Sequence, residues 1–347
     1  MTSFLRRCAL LVLLATSVFH STSANGETPP NAWDIAKDPL VRERYKLHLD
    51  VQELLELRGL PQIGSLRNLT ADRARVMLEA EDAAHSPDPR LRFDLGEVYE
   101  LLERYDAVIG VLEGALAMAP DHPAATRAWF VLAGAYAHKD SAEASRKEIS
   151  AYRAYLARET DDEDCAIAML NLAEAEMHLG EIDFAVSDYQ ESMRLAASSP
   201  RVRGPITEIL AVWGLAVAYD RSGDATGATA QAKLATQMDD RDRLISDKTY
   251  TFFVPEYERN WYLGLAAMAH ARQEQDPRLI LAHWVDAEQR WGAYVAGAEK
   301  PSSGDRWTAR ARAHRDFARA ERVKAAARVA KLPPQRHPTG PIDFHIN

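Results

Sequence analysis

Large apolar residues recur along most of the chain at the spacing of one helix face. Leu95, Tyr99 and Leu102 follow one another at i, i+4 and i+7, which places them on the same side of a helix. The first residue of this pattern is a leucine in four places, 37, 40 and 43 residues apart: Leu95, Leu132, Leu172 and Leu215. A tyrosine follows four residues later again at Tyr136 and Tyr219. The pattern predicts a helical repeat of about 34 residues with short polar insertions.

Small residues and turn formers give each repeat the pattern of a helical hairpin. The residue after each repeat leucine is small, which lets a second helix approach closely: Gly96, Ala133, Ala173 and Ala216. Gly180 and Gly223 stand where a first helix has to end and turn, and Pro120 stands at the end of a second helix. The residues expected to pack at the repeat joints are Leu95, Tyr99, Leu132, Tyr136, Leu172, Leu215 and Tyr219.

In these positions the chain resembles the tetratricopeptide repeat (TPR) family. The resemblance covers 89–122, 166–199 and 209–242, is looser in 126–162, and extends to 259–297. It implies an all-α, right-handed superhelical solenoid of antiparallel hairpins, in which the first helix of each hairpin lines a concave groove. The alternative is an ordinary, non-repetitive helical bundle, which also has leucines and alanines at helical spacing.

The interpretation divides the chain into a leader at 1–24, a helical region at 25–88, the repeat array at 89–300, a basic capping helix at 301–331 and an extended Pro-rich tail at 332–347. Helices at 41–58 and 71–86 resemble a degenerate first repeat. The apolar stretch 239–257 is expected to pack across helix ends, or alternatively to contact a partner. In the tail, Ile342, Phe344 and Ile346 alternate at the strand period, which predicts docking in extended form on its own solenoid or on a partner's sheet edge. The alternative, equally compatible with the sequence, is a frayed end.

The first residues have the form of a secretory signal peptide. Arg6 and Arg7 precede an uncharged, mostly apolar run at 8–19, which is too short to span a bilayer. Thr22 and Ala24 occupy the −3 and −1 places of a cleavage site. We expect cleavage near Ala24 and a periplasmic or secreted location, in which Cys165 is the remaining thiol.

Composition and charge restrict the class of partner. Of 347 residues, 47% are hydrophobic and 27% charged, which describes a globular protein, and the formal net charge is −9. Residues 301–347 depart from this acidic balance with ten Lys or Arg against four Asp or Glu. An acidic body argues against nucleic acid as a partner. The basic helix is expected to begin just after Gly304 with Asp305 as its N-cap residue. Its expected role is a solvated end of the array, or alternatively contact with an anionic surface through Arg312, Arg315, Arg319 and Arg322.

The sequence contains no motif of a known catalytic or metal site. His-Glu-x-x-His, Cys-x-x-Cys, Gly-x-Ser-x-Gly and P-loop patterns are all missing. Cys165 follows four acidic residues, which are expected to raise the pKa of its thiol. His138 and His178 come from different hairpins and have no evident third ligand. We therefore expect no enzymatic activity, no cofactor and no metal.

The resemblance places one residue of each repeat, two before the leucine, on the groove side: Phe93, Phe130, Leu170 and Trp213. One turn later on the same side are Glu97, Gly134, Glu174 and Val217. TPR proteins that capture a C-terminal carboxylate have Lys with Asn or Arg at these places, so that binding mode is disfavoured. The aromatic rings are expected to be partly exposed on one continuous surface, or alternatively to be buried against the next hairpin.

The sequence thus predicts a non-catalytic protein- or peptide-binding scaffold of the periplasm or cell envelope. Its binding residues would be Phe93, Glu97, Phe130, Leu170, Glu174, Trp213 and Val217. The alternative is a permanent structural subunit of an envelope or secretion assembly. Neither interpretation includes nucleic acid binding or an integral membrane span.

Overall fold

The computed structural model describes residues 37–56, 64–199, 203–247, 251–300 and 305–333. In these residues it has fourteen α-helices, three short 3-10 turns and no strand, so the fold is all-α as the sequence predicts. The predicted leader at 1–24 and most of the predicted tail lie outside the described residues. Two compact units divide in sequence between Arg259 and Asn260, inside the segment that the sequence analysis assigned to one array.

The first unit is a series of helical hairpins. Its helices are α1 Pro39–Glu56, α2 Gly64–Ala80, α3 Pro89–Leu101, α4 Tyr105–Met118, α5 Ala125–Ala137, α6 Ala142–Leu156, α7 Asp162–Leu179, α8 Ile182–Ser198, α9 Arg203–Ser222, α10 Ala225–Met238 and the short α11 Arg243–Ser246. In each hairpin the odd-numbered helix, from α1 to α9, is the first helix and the even-numbered helix is the second. Short turns join the pairs from α3 onward, which makes the two helices antiparallel neighbours.

Residues at the helix ends explain where the hairpins turn. Gly180 follows α7 with φ of 79°, and Gly223 follows α9 with φ of 98°, so both predicted turn glycines have the left-handed backbone that glycine adopts most readily. At the other ends, side chains accept hydrogen bonds from the first backbone N–H groups. Ser141 caps α6 and Asp161 caps α7 in this way.

The hydrophobic core is continuous from one hairpin to the next. One cluster combines residues of α3 and α4 with residues of α5, and another combines α5 and α6 with α7. Second helices pack on the following first helix, as α6 does on α7 and α8 on α9. A hairpin that completes its core only against its neighbour is the defining property of a solenoid.

The repeat leucines and tyrosines have different roles at these joints. The four leucines are buried, as predicted, and Tyr136 is buried with them. Tyr99 and Tyr219 are half-buried. The phenol of Tyr99 donates to Glu79 Oε1 at 3.1 Å, and that of Tyr219 accepts from Gln190 Nε2 at 3.1 Å.

Each of these polar contacts joins a first helix to the second helix of the preceding hairpin. The phenol of Tyr136 likewise donates to Glu113 of α4. In the third repeat the equivalent position, four residues after Leu172, is Glu176, which accepts from Arg153 Nη2 of α6 at 2.8 Å. We call this set of four contacts the joint bonds, and their residue types vary while the connection stays the same.

The described residues of the second unit form three helices, α12 Arg259–Gln273, α13 Pro277–Ala298 and α14 Thr308–Val329. Its core is aromatic, with Trp261 in edge contact with Trp291 at 5.2 Å and with Tyr294 at 4.9 Å. Gly264 makes the approach of α12 and α13 possible, because a Cβ there would lie 2.6 Å from the Trp291 ring.

The C-terminal helix begins later than predicted. The sequence placed its start just after Gly304 with Asp305 as the cap, whereas α14 begins at Thr308 with Trp307 as its N-cap residue. The Asp305 carboxylate instead accepts from the Tyr294 phenol at 3.0 Å and from the Trp307 backbone N–H at 3.1 Å. Asp305 therefore connects α13 with the start of α14, where Thr308 Oγ1 also donates to its carboxylate at 3.2 Å.

Candidate functional site

The predicted exposure of the large apolar residues on the first helices is wrong. Their exposed fractions are 5% for Phe93, 4% for Phe130, 7% for Leu170 and 0% for Trp213. Val217, one turn beyond Trp213, is also fully buried. These side chains support the stack of hairpins, and their rings offer no direct contact surface to a partner.

Two of the rings are covered by the hairpin structure itself. Phe93 stacks on His122, in the turn before α5, with ring centroids 5.0 Å apart. Phe130 makes edge contacts with Tyr152 at 5.7 Å and with Tyr155 at 5.1 Å, both on α6. The sequence period groups these residues on one side of each first helix but gives no information about which neighbour covers that side.

Trp213 is covered by a segment that does not belong to the repeat. Its indole Nε1 donates to Asp239 Oδ2 at 3.1 Å, and the same carboxylate accepts from the Leu244 backbone N–H at 3.0 Å. The chain that follows α10 therefore turns back over α9, where α11 packs. Desolvation of the Asp239 carboxyl raises its pKa, although the bonds from Leu244 and Trp213 oppose this shift.

A second row of residues on the same first helices is partly accessible to solvent. Glu97, Gly134 and Glu174 occupy equivalent positions on α3, α5 and α7, and all three are half-exposed. Of the seven predicted binding residues, the structure thus leaves Glu97 and Glu174 accessible. The accessible part of the predicted surface is acidic rather than aromatic.

A buried carboxyl lies beside this row. Glu148 of α6 has an exposed fraction of 6%. Burial, together with the negative charge of Glu174, raises the pKa of Glu148 well above its usual range. Sequence reasoning did not single out Glu148, because it lies on a second helix and belongs to no motif.

Residues 251–258, which we call the strap, pack against parts of the first unit that are distant in sequence. The Phe252 ring stacks on His138, at the end of α5, with centroids 4.4 Å apart. Tyr105, at the start of α4, stacks on His138 at 3.7 Å. Because both rings are nearly parallel to the imidazole, His138 lies between them, and burial lowers its pKa to about 4.

The strap is also attached near α9 and α11. Thr251 Oγ1 donates to the Leu244 carbonyl at 3.1 Å, and Glu258 forms an ion pair with the buried Arg221. These contacts agree with the expectation that the stretch 239–257 packs across helix ends. The alternative expectation, a contact with a partner, is untested.

The basic strip on α14 is engaged within its own unit. Arg319 Nε and Arg322 Nε lie 2.8 and 2.6 Å from the two carboxylate oxygens of Glu288, and Arg312 pairs with Glu299 at 2.7 Å. Arg315 pairs with its neighbour Asp316 at 3.2 Å. Intramolecular carboxylates therefore neutralise much of the charge that was assigned to an anionic surface.

The surroundings of Cys165 make its thiol a poor nucleophile. Burial and the preceding acidic residues raise the pKa of the Cys165 thiol to about 11, which keeps it protonated at neutral pH. In the part of the chain that the structure describes, no group of three or more His, Cys, Asp or Glu side chains could hold a metal ion.

The first unit combines antiparallel hairpins, buried repeat leucines, turn glycines and joint bonds. The array is TPR-like. Two crystal structures of a Podosopora anserina putative kinesin light chain with nearly identical TPR-like repeats are similar to this chain. One is 17% identical and covers 58% of this chain and 96% of its own, with a TM-score of 0.42. The other is 16% identical and covers 62% and 100%, with a TM-score of 0.39.

No protein-family model matches the sequence, and a comparison with the curated proteins finds no match. Stacked repeats of this kind present an extended surface. Among the described residues, no helix is both long enough and apolar enough to cross a membrane.

Proposed function

We propose that this protein is a non-catalytic, exported scaffold that binds a protein or peptide along the first helices of its TPR-like array. The observation that carries the proposal is the half-exposed row of Glu97, Gly134 and Glu174 on three successive first helices. Beneath the row lie buried, tightly packed rings, so the surface is formed before a partner arrives. A preformed surface binds with a smaller loss of conformational entropy.

The proposed location is the periplasm or cell envelope. Its support comes from the sequence, where Arg6 and Arg7 precede an apolar run and Ala24 ends a cleavage motif. N-terminal sequencing of the protein from an exported fraction should give a first residue at or near Asn25. An intact Met1 in a soluble cytoplasmic fraction would contradict export.

The binding surface can be tested by site-specific photocrosslinking in cells. A benzophenone amino acid is introduced at Glu97 or Glu174 and, as a matched control, at Asp183, which is exposed on the second helix α8. We expect one discrete crosslinked species from positions 97 and 174 and none from position 183. Equal crosslinking from all three positions would contradict binding along the first helices.

A second candidate function is that of a permanent structural subunit. It is favoured by four large apolar side chains that are about half exposed or more on the first hairpin: Leu40, Leu49, Leu69 and Val76. Size-exclusion chromatography of the purified protein distinguishes the two candidates. A stable monomer supports the scaffold that binds and releases, whereas association or aggregation without a partner supports the subunit.

A further inference from the structure

Gly134 leaves an open notch in the first helix α5. A Cβ atom placed on this glycine would meet no other atom within 4 Å. Glycines that serve helix packing elsewhere in the array are different, because a Cβ at Gly96 or Gly214 would collide with a neighbouring side chain at 2.2 Å. Gly134 is therefore not required for helix approach, and the space beside it is accessible from the half-exposed row.

The contacts between α5 and α6 place Glu148 next to this notch. Phe130 and Tyr152 touch with ring centroids 5.7 Å apart, and the two helices are antiparallel. Four residues further along α5 is Gly134, and four residues back along α6 is Glu148. One helical turn from the Phe130–Tyr152 contact, the two residues lie opposite each other.

The contacts between α6 and α7 bring Glu174 to the same place. Tyr152 is hydrogen-bonded to Asn171 of α7, and Glu174 lies one turn beyond Asn171. The Glu148 carboxyl is close enough to Glu174 for their charges to repel. Three helices thus contribute one residue each to a small region: Gly134, Glu148 and Glu174.

The Glu148 carboxyl lacks a partner there. It forms no hydrogen bond or ion pair with any residue that the structure describes, although its side chain is only 6% exposed. Two of the three cationic side chains near Glu148 on α6 bind elsewhere, since Lys147 pairs with Glu113 at 3.1 Å and Arg153 pairs with Glu176 at 2.8 Å. The third, Arg146, is exposed, whereas Glu148 is buried. A buried carboxyl without a partner is unfavourable and is stabilised by a cation that reaches it.

We propose that Gly134, Glu148 and Glu174 form a slot for a basic side chain, lysine or arginine, of the bound protein. The proposal rests on the scaffold function and adds the chemistry of its ligand. The alkyl stem of the basic residue lies in the notch at Gly134, where no side chain competes for the space. Its charged end reaches the Glu148 carboxyl from the side of Glu174, and Glu148 then has a cationic partner.

The slot can be tested with small cations that mimic the side chains. n-Butylammonium represents lysine, n-propylguanidinium represents arginine, and 1-butanol is the neutral control. Each is titrated into the full chain while the backbone amide signals are followed by NMR. We expect saturable shifts at Gly134, Glu148 and Glu174 with at least one of the cations and none of comparable size with 1-butanol.

Three substitutions define the site. Glu148→Gln removes the charge with little change in shape, Glu174→Gln removes the half-exposed charge, and Gly134→Leu fills the notch. We expect each to weaken cation binding roughly tenfold or more. The control Glu143→Gln changes an exposed carboxylate on the same helix α6 and should leave binding unchanged. Circular dichroism and thermal unfolding identify any variant that fails to fold. Glu174→Gln is the variant least expected to affect folding, because residue 174 is half-exposed.

The result that would overturn the slot is binding by Glu148→Gln and Glu174→Gln equal to that of the parent chain. Cation shifts spread over exposed carboxylates, with none centred on Gly134, would overturn it as well. These measurements need no partner protein, so their failure leaves the scaffold function to be judged by photocrosslinking. If crosslinking fails while the cations bind, the three residues form a cation site, but its assignment to the basic side chain of a bound protein fails together with the scaffold proposal.

Discussion

The Leu112 side chain of α4 lies directly over Gly96 of α3, so that a Cβ at residue 96 would stand 2.2 Å from Leu112 Cδ2. Gly96 is the small residue that follows the first repeat leucine, and the close approach of the two helices depends on it. Tyr189 lies over Gly214 in the same manner between α8 and α9. Absence of a side chain is thus a packing requirement at some glycines of the array and not at others.

Gly96→Ala and Gly134→Ala should therefore have opposite effects on stability. Overpacking against Leu112 should lower the free energy of unfolding of Gly96→Ala by about 1–3 kcal/mol. In Gly134→Ala the new methyl group meets no atom, and the higher helix propensity of alanine should raise the free energy of unfolding by about 0.5–1 kcal/mol. Urea denaturation of the two variants and the parent measures both effects. Equal destabilisation would mean that the notch at Gly134 is closed.

The joint bonds should contribute measurably but less than the repeat leucines. Tyr136→Phe removes the phenol that donates to Glu113, and the expected loss is about 1 kcal/mol. Leu95→Ala leaves a cavity between hairpins, and its expected cost is about 2–5 kcal/mol.

A double-mutant cycle isolates the joint bond itself. Tyr136→Phe combined with Glu113→Gln should show a coupling energy, whereas Tyr136→Phe combined with the distant, exposed Glu181→Gln should be additive. Additivity in both cycles would show that the bond contributes nothing to stability.

The third joint should make stability depend on pH. Burial, and then the nearby Asp188, raise the pKa of Glu176 to about 7 from an ordinary 4.5. Because the folded state binds the proton more tightly than the unfolded chain, this contribution to stability is complete below pH 4.5 and is lost as the pH rises through 7. The parent should lose stability between pH 5 and pH 8, and in Glu176→Gln this loss should be smaller by about 1–3 kcal/mol.

Urea midpoints of the parent and of Glu176→Gln at the two pH values check this expectation. Glu181→Gln serves as the control, since Glu181 lies in the turn between α7 and α8 and is exposed. Parallel pH profiles for the parent and Glu176→Gln would contradict the assignment.

Phe252→Ala should change the pKa of His138, which is distant from Phe252 in the sequence. Burial, and then the charge of Lys139, lower the pKa of His138 to about 4, and the Phe252 ring provides part of that burial. Without the ring, water reaches the imidazole and its pKa should rise towards 6.5. In the parent, the unfolded chain binds the proton at a higher pH than the folded chain, so the protein loses stability as the pH falls from 6.5 to 4. In Phe252→Ala this loss of stability should be smaller.

NMR titration of the His138 ring signals measures the shift, and a His138→Gln variant identifies those signals. Phe184→Ala, at an exposed ring on α8, is the matched control. An unchanged His138 pKa in Phe252→Ala would mean that the strap does not cover the imidazole.

Much of the first unit could be predicted from its sequence because local residues determine it. Leucines at helical spacing identified the buried side of each helix, and Gly180 and Gly223 marked where α7 and α9 end, since few other residues adopt that backbone readily. The third joint was missed because Glu176 replaces tyrosine. That Glu176 is equivalent to the joint tyrosines becomes visible only when Arg153 of α6 is known to lie opposite it.

The accessibility of the candidate site could not be predicted in the same way. Helical periodicity gives the direction of Trp213 but not the presence of Asp239 over it, because that contact comes from chain outside the repeat. Similarly, the sequence gives the spacing of Arg319 and Arg322 on one stripe, while their partner Glu288 lies on α13. Contacts between elements decide whether a periodic face is open, and periodicity does not encode them.

The strap changes how the array should unfold. In a stack whose hairpins touch only their neighbours, the end units can fray independently, and stability is close to a sum over adjacent pairs. Phe252 contacts His138 on the order of a hundred residues earlier in the chain, which is a non-local contact in an otherwise local topology. The hairpins between α5 and α11 are thereby enclosed in one loop, so that none of them can open from an end without first releasing that ring stack. Residues 138–252 should accordingly exchange their amide hydrogens as one cooperative block.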